Sequence, residues 1–320
     1  MKRRTFSAAA ATLLLSPLAR AAPSSDAAVR LIVMNAPGTG TDTLARQLAS
    51  HMGKQWQVPV LVENKVGAGG TIGTDFVAKS PTDGKTILIT NASHYAFPWL
   101  YDKLPYDAFT DFSPVASVAT STLLLMVPAD SPFRSVHDII AEAKKRPGRL
   151  SFSSGGSGTP SHLAGALLCS MAGIDIAHTP YKMASQSLVD LASGQIDVGI
   201  LGISPSLPLL KSGKLRVVAI TSAKRTALLP GVPTIAEAGL RGYDVASPIF
   251  ALVRAGTPAP TVSTLAGGIM QAAASAEFKA LCAGQGLDVE IEGASALQAA
   301  MPREFAKWKH LVALAGAKAD

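Results

Sequence analysis

The residues of this chain whose types and spacing could do chemistry are mostly glycine, serine and threonine, gathered in two short stretches. The first is Pro37-Gly38-Thr39-Gly40-Thr41-Asp42, between an apolar run at residues 31–34 and the helical spacing of Leu44, Leu48 and Met52. The second, Ser154-Gly155-Gly156-Ser157-Gly158-Thr159, comes about 120 residues later, and Pro160, Leu163, Leu167 and Met171 continue it as a helix. A strand that ends in a glycine loop and turns straight into a helix aims free backbone N–H groups outward at the positive end of the helix dipole. Such a site suits a carboxylate or a phosphate. Most turns of this kind bind nothing when taken singly. Two in one chain suggest a clamp, each half of the molecule holding one side of a small anion.

Other chemistries fit less well. A phosphate-binding loop needs a Gly-Lys-Ser/Thr ending, and Gly40-Thr41-Asp42 has none. Thr41 or Asp42 can cap the first helix, and a capping Asp42 points at its own backbone rather than at an anion. Ser157 has Gly155 before it but Thr159 after it, so it misses the nucleophile-elbow spacing by one position. His162 lies in the first helical turn after the second loop, where it could donate to an anion or simply pack. Asp190 and Asp197 show no paired-carboxylate logic, and the six histidines form no metal-binding pattern. No metal and no cofactor are expected.

Positioning two such loops requires strand and helix to alternate. Residues 58–63 and 86–90 read as strands with a helix between them, the pattern of a parallel α/β sheet. Asn91, Ser93 and His94 follow the second of these, past a strand's carboxyl end, where α/β proteins bind ligands. Strands at 121–127, 150–153, 196–201, 215–221 and 246–253, with helices at 136–145 and 187–193, continue the pattern. A helical region then runs from Thr257 to the end. The chain leaves its first half near Val127 and returns near Ser247, giving one lobe of residues 22–127 with 247–320 and another of 128–246. Two crossings make a hinge, and a hinge allows closure on a ligand.

Residues 1–21 read as a signal peptide. Lys2, Arg3 and Arg4 precede an apolar run at 8–15, and Ala19-Arg20-Ala21 places cleavage near Ala21 or Ala22. The Arg3-Arg4 pair is compatible with twin-arginine or general export. The formal charge is +7, and losing Lys2, Arg3, Arg4 and Arg20 with the signal leaves +3. With no basic stripe interleaved with aromatics, nucleic acid is not expected as a partner. The two cysteines, Cys169 and Cys282, sit in apolar helical contexts and read as free and buried.

The chain resembles the substrate-binding receptors of tripartite tricarboxylate transporters, also called the Bug family. The resemblance covers nearly all of the mature chain. It rests on RLIVMNAPGTGTDTLAR at 30–46, on Val62-Glu63-Asn64-Lys65 with Gly67-Ala68-Gly69-Gly70, on Pro81-Thr82-Asp83-Gly84 and on Leu104-Pro105-Tyr106-Asp107. It continues through Ser153-Ser154-Gly155 to His162-Leu163-Ala164-Gly165, Pro180-Tyr181-Lys182, Gly194-Gln195-Ile196-Asp197 and Val232-Pro233-Thr234.

The resemblance implies an α/β, two-lobed periplasmic-binding-protein fold (a Venus flytrap of type II) and an exported, periplasmic receptor that is not an enzyme. It implies one ligand carboxylate held between Gly38, Thr39, Gly40, Thr41 and Asp42 on one side and Ser154, Gly156, Ser157, Gly158 and Thr159 on the other. The rest of the ligand should meet Asn91, Ser93, His94, Tyr181, Leu201 and Ser247. Membrane transporter subunits are the implied partners, and a monomer is expected. A ligand-sensing receptor for a signalling partner fits the same features, and an exported hydrolase is a more distant alternative. The chain departs from the family pattern at Ala36-Pro37-Gly38-Thr39, Met183, Leu201-Gly202 and Pro248-Ile249. Leu201-Gly202 stands where many members carry Asp-Asn, which removes a partner for a ligand ammonium. A carboxylate without an α-amino group is therefore the expected ligand.

Overall fold

The computed structural model describes residues 28–318, so the signal peptide read at 1–21 lies outside the described residues. The apolar run that opens the chain is strand β1 (Val29–Val33). Leu31, Ile32 and Val33 are fully buried because β1 pairs in parallel on both edges, with β2 (Val60–Asn64) and β3 (Thr86–Asn91). Helix α1 (Gly40–Trp56) and helix α2 (Thr71–Ala78) make the crossovers, and α3 (Ser93–Leu100) follows β3. The second half repeats the plan. It runs β4 (Phe112–Pro128), α4 (Val136–Lys145), β5 (Ser151–Ser154), α5 (Pro160–Ala172), β6 (Ala177–Pro180), α6 (Ala184–Ala192), β7 (Val198–Gly202), α7 (Ile203–Lys211) and β8 (Leu215–Ile220). β9 (Ala246–Arg254) returns, and α8 (Ala259–Ala274), α9 (Ala276–Gly284), the short β10 (Leu287–Asp288) and β11 (Glu292–Gly293), and α10 (Ala294–Ala315) complete the chain.

β4 is the spine. Its first part, from Phe112 to Thr122, pairs antiparallel with β9, which in turn pairs with β3. From Leu123 onward it pairs with β7 and β8 instead, and β7 leads to β5 and β6. The strand expected at 121–127 is therefore the second part of one 17-residue strand. Its first part was hidden because Ser113, Pro114, Ser117 and Thr120 interrupt the apolar run.

Two of the three apolar clusters are private to one half. One joins Leu31, Leu44, Leu48 and Phe278, and another joins Leu124, Leu188, Leu191 and Ile203. The third is shared. It runs from Ile32, Leu88 and Phe250 to Leu125, Phe152, Leu163 and Val198, and Met301, Phe305, Trp308 and Leu311 of α10 cover it. These four recur at helical spacing, so one face of α10 packs against α3, α5 and β4.

Residues 91–94 lie past the carboxyl end of β3 and turn straight into a helix the sequence did not announce, since α3 starts at Ser93, two residues after β3 ends. Pro98 within the helix masked the signal, and burial of Tyr95, Phe97 and Leu100 overrides it.

Trp308 is fully buried in the shared cluster. Trp308→Ala is expected to lower the unfolding free energy by about 3–5 kcal/mol. Chemical denaturation should show both halves lost in a single transition at a lower midpoint.

Candidate functional site

Strand register decides where the loops lie. β3 runs toward its carboxyl end at Asn91, opposite Ile249 of β9, and Ile249 pairs with Ala119 of β4. β7 ends at Gly202, opposite Leu123 of β4, and β5 runs parallel to β7. The carboxyl ends of β1 and β3 therefore point at residues 119–123 of β4 from one side. Those of β5 and β7 point at the same residues from the other. The two glycine loops face one crevice, with the central part of β4 and the start of β9 as its floor. The second loop comes close to the first half of the chain: a Cβ built at Gly158 would stand 3.1 Å from Cδ2 of Leu100, at the end of α3. Ser247 sits in this floor opposite Ser121, and Asn91 lies at its rim, accepting the Ser93 N–H at 2.9 Å.

Within each loop the hydrogen bonds are the same, displaced by 120 positions. Thr39 caps α1: its Oγ1 accepts the Asp42 N–H at 3.5 Å and donates to the Ala36 carbonyl at 2.8 Å. Thr159 caps α5: its Oγ1 accepts the His162 N–H at 3.4 Å and donates to the Gly156 carbonyl at 2.7 Å. The caps are thus the threonines, not Thr41 or Asp42. The glycine before each cap has positive φ, +83° at Gly38 and +72° at Gly158, which a side chain would strain. Its N–H turns back onto the helix. Gly38 donates to Oδ2 of Asp42 at 2.8 Å, and Gly158 donates to Nδ1 of His162 at 3.1 Å.

What remains is a set of free amides. Among the described residues, the N–H groups of Gly40 and Thr41 in one loop and of Ser157 and Ser161 in the other have no acceptor in the chain. Asp42 itself is committed elsewhere. Arg46 grips both its oxygens at 3.0 Å, and Asn64 donates to Oδ1 at 2.8 Å. Burial works to raise the Asp42 pKa, but the bonds from Arg46, Gly38 and Asn64 outweigh it and hold the carboxyl below 3.8. Asp42 is a brace and not a ligand contact.

Three other expected contacts are corrected. The His94 side chain is fully buried among Tyr95, Phe112, Phe250 and Phe305, with Nε2 3.1 Å from the Ala108 carbonyl, so it cannot reach the crevice. Leu201 is 3% exposed, in the core beneath α6 and α7. Tyr181 turns its hydroxyl to Asp190 at 2.7 Å and meets the second loop through its backbone, its N–H donating to the Ser154 carbonyl. Ser154 is fully buried and works from beneath the loop: its Oγ accepts the Gly156 N–H at 3.2 Å. The sequence reading missed Arg46 and Asn64 as braces of the first loop. It also missed Ser161, whose Oγ accepts the Gly155 N–H at 3.0 Å in the second.

A groove of about 640 Å³ lies elsewhere, at the outer edge of the first sheet, lined by Arg30, Lys65, Phe76 and Lys79. Its cations already have acids, Lys79 with Asp75 and Lys65 with Glu63, so it offers no unpaired charge to an anion. Cys169 and Cys282 are free, Cys282 buried and Cys169 partly so, and burial pushes both thiols up to about 11.

The sequence profile of the TctC family, the tripartite tricarboxylate transporter family receptors, matches residues 44–316. The chain belongs to this receptor family. BugT of Bordetella pertussis is 34% identical to the receptor over 293 residues, 91% of this chain and 90% of BugT. Among solved structures, Rpa4515 of R. palustris with adipate is 33% identical with a TM-score of 0.77, covering 91% of this receptor and 97% of Rpa4515. The periplasmic binding protein BugD is 32% identical with a TM-score of 0.74, covering 91% and 98%. MatC from Rhodopseudomonas palustris with bound malate is 28% identical with a TM-score of 0.73, covering 89% and 98%. The resemblance read from the motifs holds, and the receptor has the α/β periplasmic-binding-protein fold it implied.

Burial pushes His94 down from 6.5 to about 4, against a smaller opposing effect of its bond to Ala108. Between those values the unfolded chain holds a proton there that the folded receptor does not. His94 therefore contributes stability in full above about pH 6.5, and that contribution is lost as pH falls toward 4. In urea titrations across this window, His94→Phe should reduce the slope of unfolding free energy against pH by about 1.4 kcal/mol per unit. An unchanged slope would show that His94 is not neutral in the fold.

Proposed function

We propose that the receptor captures a small carboxylate lacking an α-amino group between its two glycine loops, closes on it and delivers it to a membrane transporter. The reading is supported by four unpaired amides, from Gly40, Thr41, Ser157 and Ser161, at the starts of two helices that follow strands ending on either side of the central part of β4. Neutral amides at two helix N-termini stabilise a carboxylate without burying a cation beside it. The adipate and malate named for two relatives support a carboxylate ligand. The lobes are residues 22–127 with 247–320 and residues 128–246, working in the periplasm as a monomer once residues 1–21 are removed. Met183, 66% exposed at the start of α6, is the apolar surface offered to the body of the ligand.

A hydrolase reading finds little support. Ser157 has no base, since Nδ1 of His162 already accepts the Gly158 N–H. Ser154 does lie 2.7 Å from Nε2 of His178, but it is fully buried. The receptor catalyses nothing on this reading. Turnover of activated esters that is lost in Ser157→Ala would reverse it.

A thermal-shift screen of mono- and dicarboxylates tests the main claim. Saturation at a hundred times the dissociation constant adds about 2.7 kcal/mol, while aspartate and glutamate should shift nothing. One substitution isolates the amides. Gly40 is the first residue of α1, and the second loop already carries Pro160 at the matching position. Thr39 has the extended conformation (φ −71°, ψ 161°) that precedes a proline without clash. Gly40→Pro should therefore fold normally, lose one donor and weaken carboxylate binding by about tenfold or more in calorimetry.

A further inference from the structure

The second loop rests on a pair of histidines. The rings of His162, in the first turn of α5, and His178, in β6, stack with centroids 3.8 Å apart and planes 8° from parallel. Phe152 of β5 closes the stack, 4.8 Å from His178. Each imidazole holds one point of the loop. Nδ1 of His162 takes the Gly158 N–H, and Nε2 of His178 lies 2.7 Å from Oγ of Ser154, which in turn accepts the Gly156 N–H. The bond from Gly158 is directional evidence: an amide donor requires an unprotonated Nδ1, so the His162 proton sits on Nε2. Among the described residues that Nε2–H has no acceptor in the chain, nor is it sealed from solvent.

We propose that His178 is a positioning residue for the anion site: by stacking on His162 and bonding Ser154, it locks His162 in its neutral Nε2–H form. The amides of the second loop are thereby held in place. This rests on the carboxylate reading above for its consequence, though not for its geometry. Protonating His162 puts a hydrogen on Nδ1 and breaks the bond from Gly158, and charging both rings would place two cations in one stack, so acid opposes the arrangement. The groups facing the pair are Phe152 and Ser154 from β5 and Ser161 beside His162 on α5. Among the described residues no carboxylate acts on either ring. Burial, and then His162, push His178 down to about 4, and burial lowers His162. Both rings are therefore neutral at the pH where the receptor works, and acidification loosens the loop.

The test begins without a ligand. In receptor labelled with ¹⁵N in its imidazoles, nitrogen shifts at about pH 7 to 8 should show His162 with a bare Nδ1 and a protonated Nε2. His178→Ala should mix the two neutral tautomers of His162 and speed hydrogen exchange of the Gly158 amide by roughly tenfold. His178→Phe keeps the stack and deletes the bond to Ser154. It should preserve the His162 tautomer and speed exchange only at Gly156, which also covers the case in which the alanine variant does not fold. Adipate is the binding probe. If it binds, its affinity should fall roughly tenfold in His178→Ala at neutral pH. An Nδ1–H tautomer or a charged His162 near pH 7 in the unmodified receptor would overturn the proposal. So would an unchanged tautomer and unchanged Gly158 exchange in His178→Ala. Failure of adipate to bind the unmodified receptor would count against the ligand class alone, because the nitrogen shifts still decide the role of His178.

Discussion

The crevice depends on where the N–H of one glycine goes in each loop. A helix start leaves several donors unpaired, and their direction is set by the residues just before the cap. Gly38 and Gly158, both at positive φ, turn their N–H groups inward onto the side chain at the third position of the helix. With that donor committed, the amides of Gly40 and Thr41 and of Ser157 and Ser161 are left, among the described residues, without an acceptor in the chain. A side chain on either glycine would cost strain at these φ values.

The acceptor that receives the glycine N–H differs between the halves, and so do its consequences. In the first loop it is a carboxylate, which placed alone beside an anion site would repel the ligand. Arg46 and Asn64 cancel that charge and fix both Asp42 oxygens, so the brace is close to neutral seen from the crevice. In the second loop the acceptor is a neutral imidazole, which needs no counter-ion but does need its tautomer fixed. The first loop is held by charge pairing within α1 and β2, while the second is held by stacking across α5, β5 and β6. Acid therefore affects the two sides differently. A carboxylate held below its usual value survives mild acid that begins to charge an imidazole.

Local patterns in the sequence were enough to find both loops, the strand–helix alternation and the helix at Val136–Lys145. Its capping box between Ser135 and Asp138 is a signal written in adjacent residues. The positions that misled are those whose role is set by distant partners. His94 follows a strand end, where ligands often sit, but the aromatic rings that enclose it come from β4, β9 and α10. Tyr181 looked free until α6 brought Asp190 to it, and Leu201 looked exposed at a strand end until α6 and α7 covered it. His178 carried no motif at all. Its meaning comes from β6 lying beside β5 and bringing it over His162, a register that no single stretch of sequence encodes.

The core is divided between the halves and also joins them. Each half keeps one private apolar cluster. The third cluster spans both halves beneath α10. On the opposite face the halves touch through smaller contacts. Thr226 donates to Asp288 at 2.8 Å, and Gly286 packs so near Ile203 that a Cβ there would stand 2.6 Å from the Ile203 Cβ. The connecting strands carry their own flexibility. The pairing of β4 with β9 slips between Pro114 and Ala116 and again between Ser117 and Ala119, and its pairing with β8 slips between Leu125 and Met126. These irregularities flank residues 119–123, the floor at which both loops point. Bulges bend and twist a strand locally while the ladder on either side stays paired.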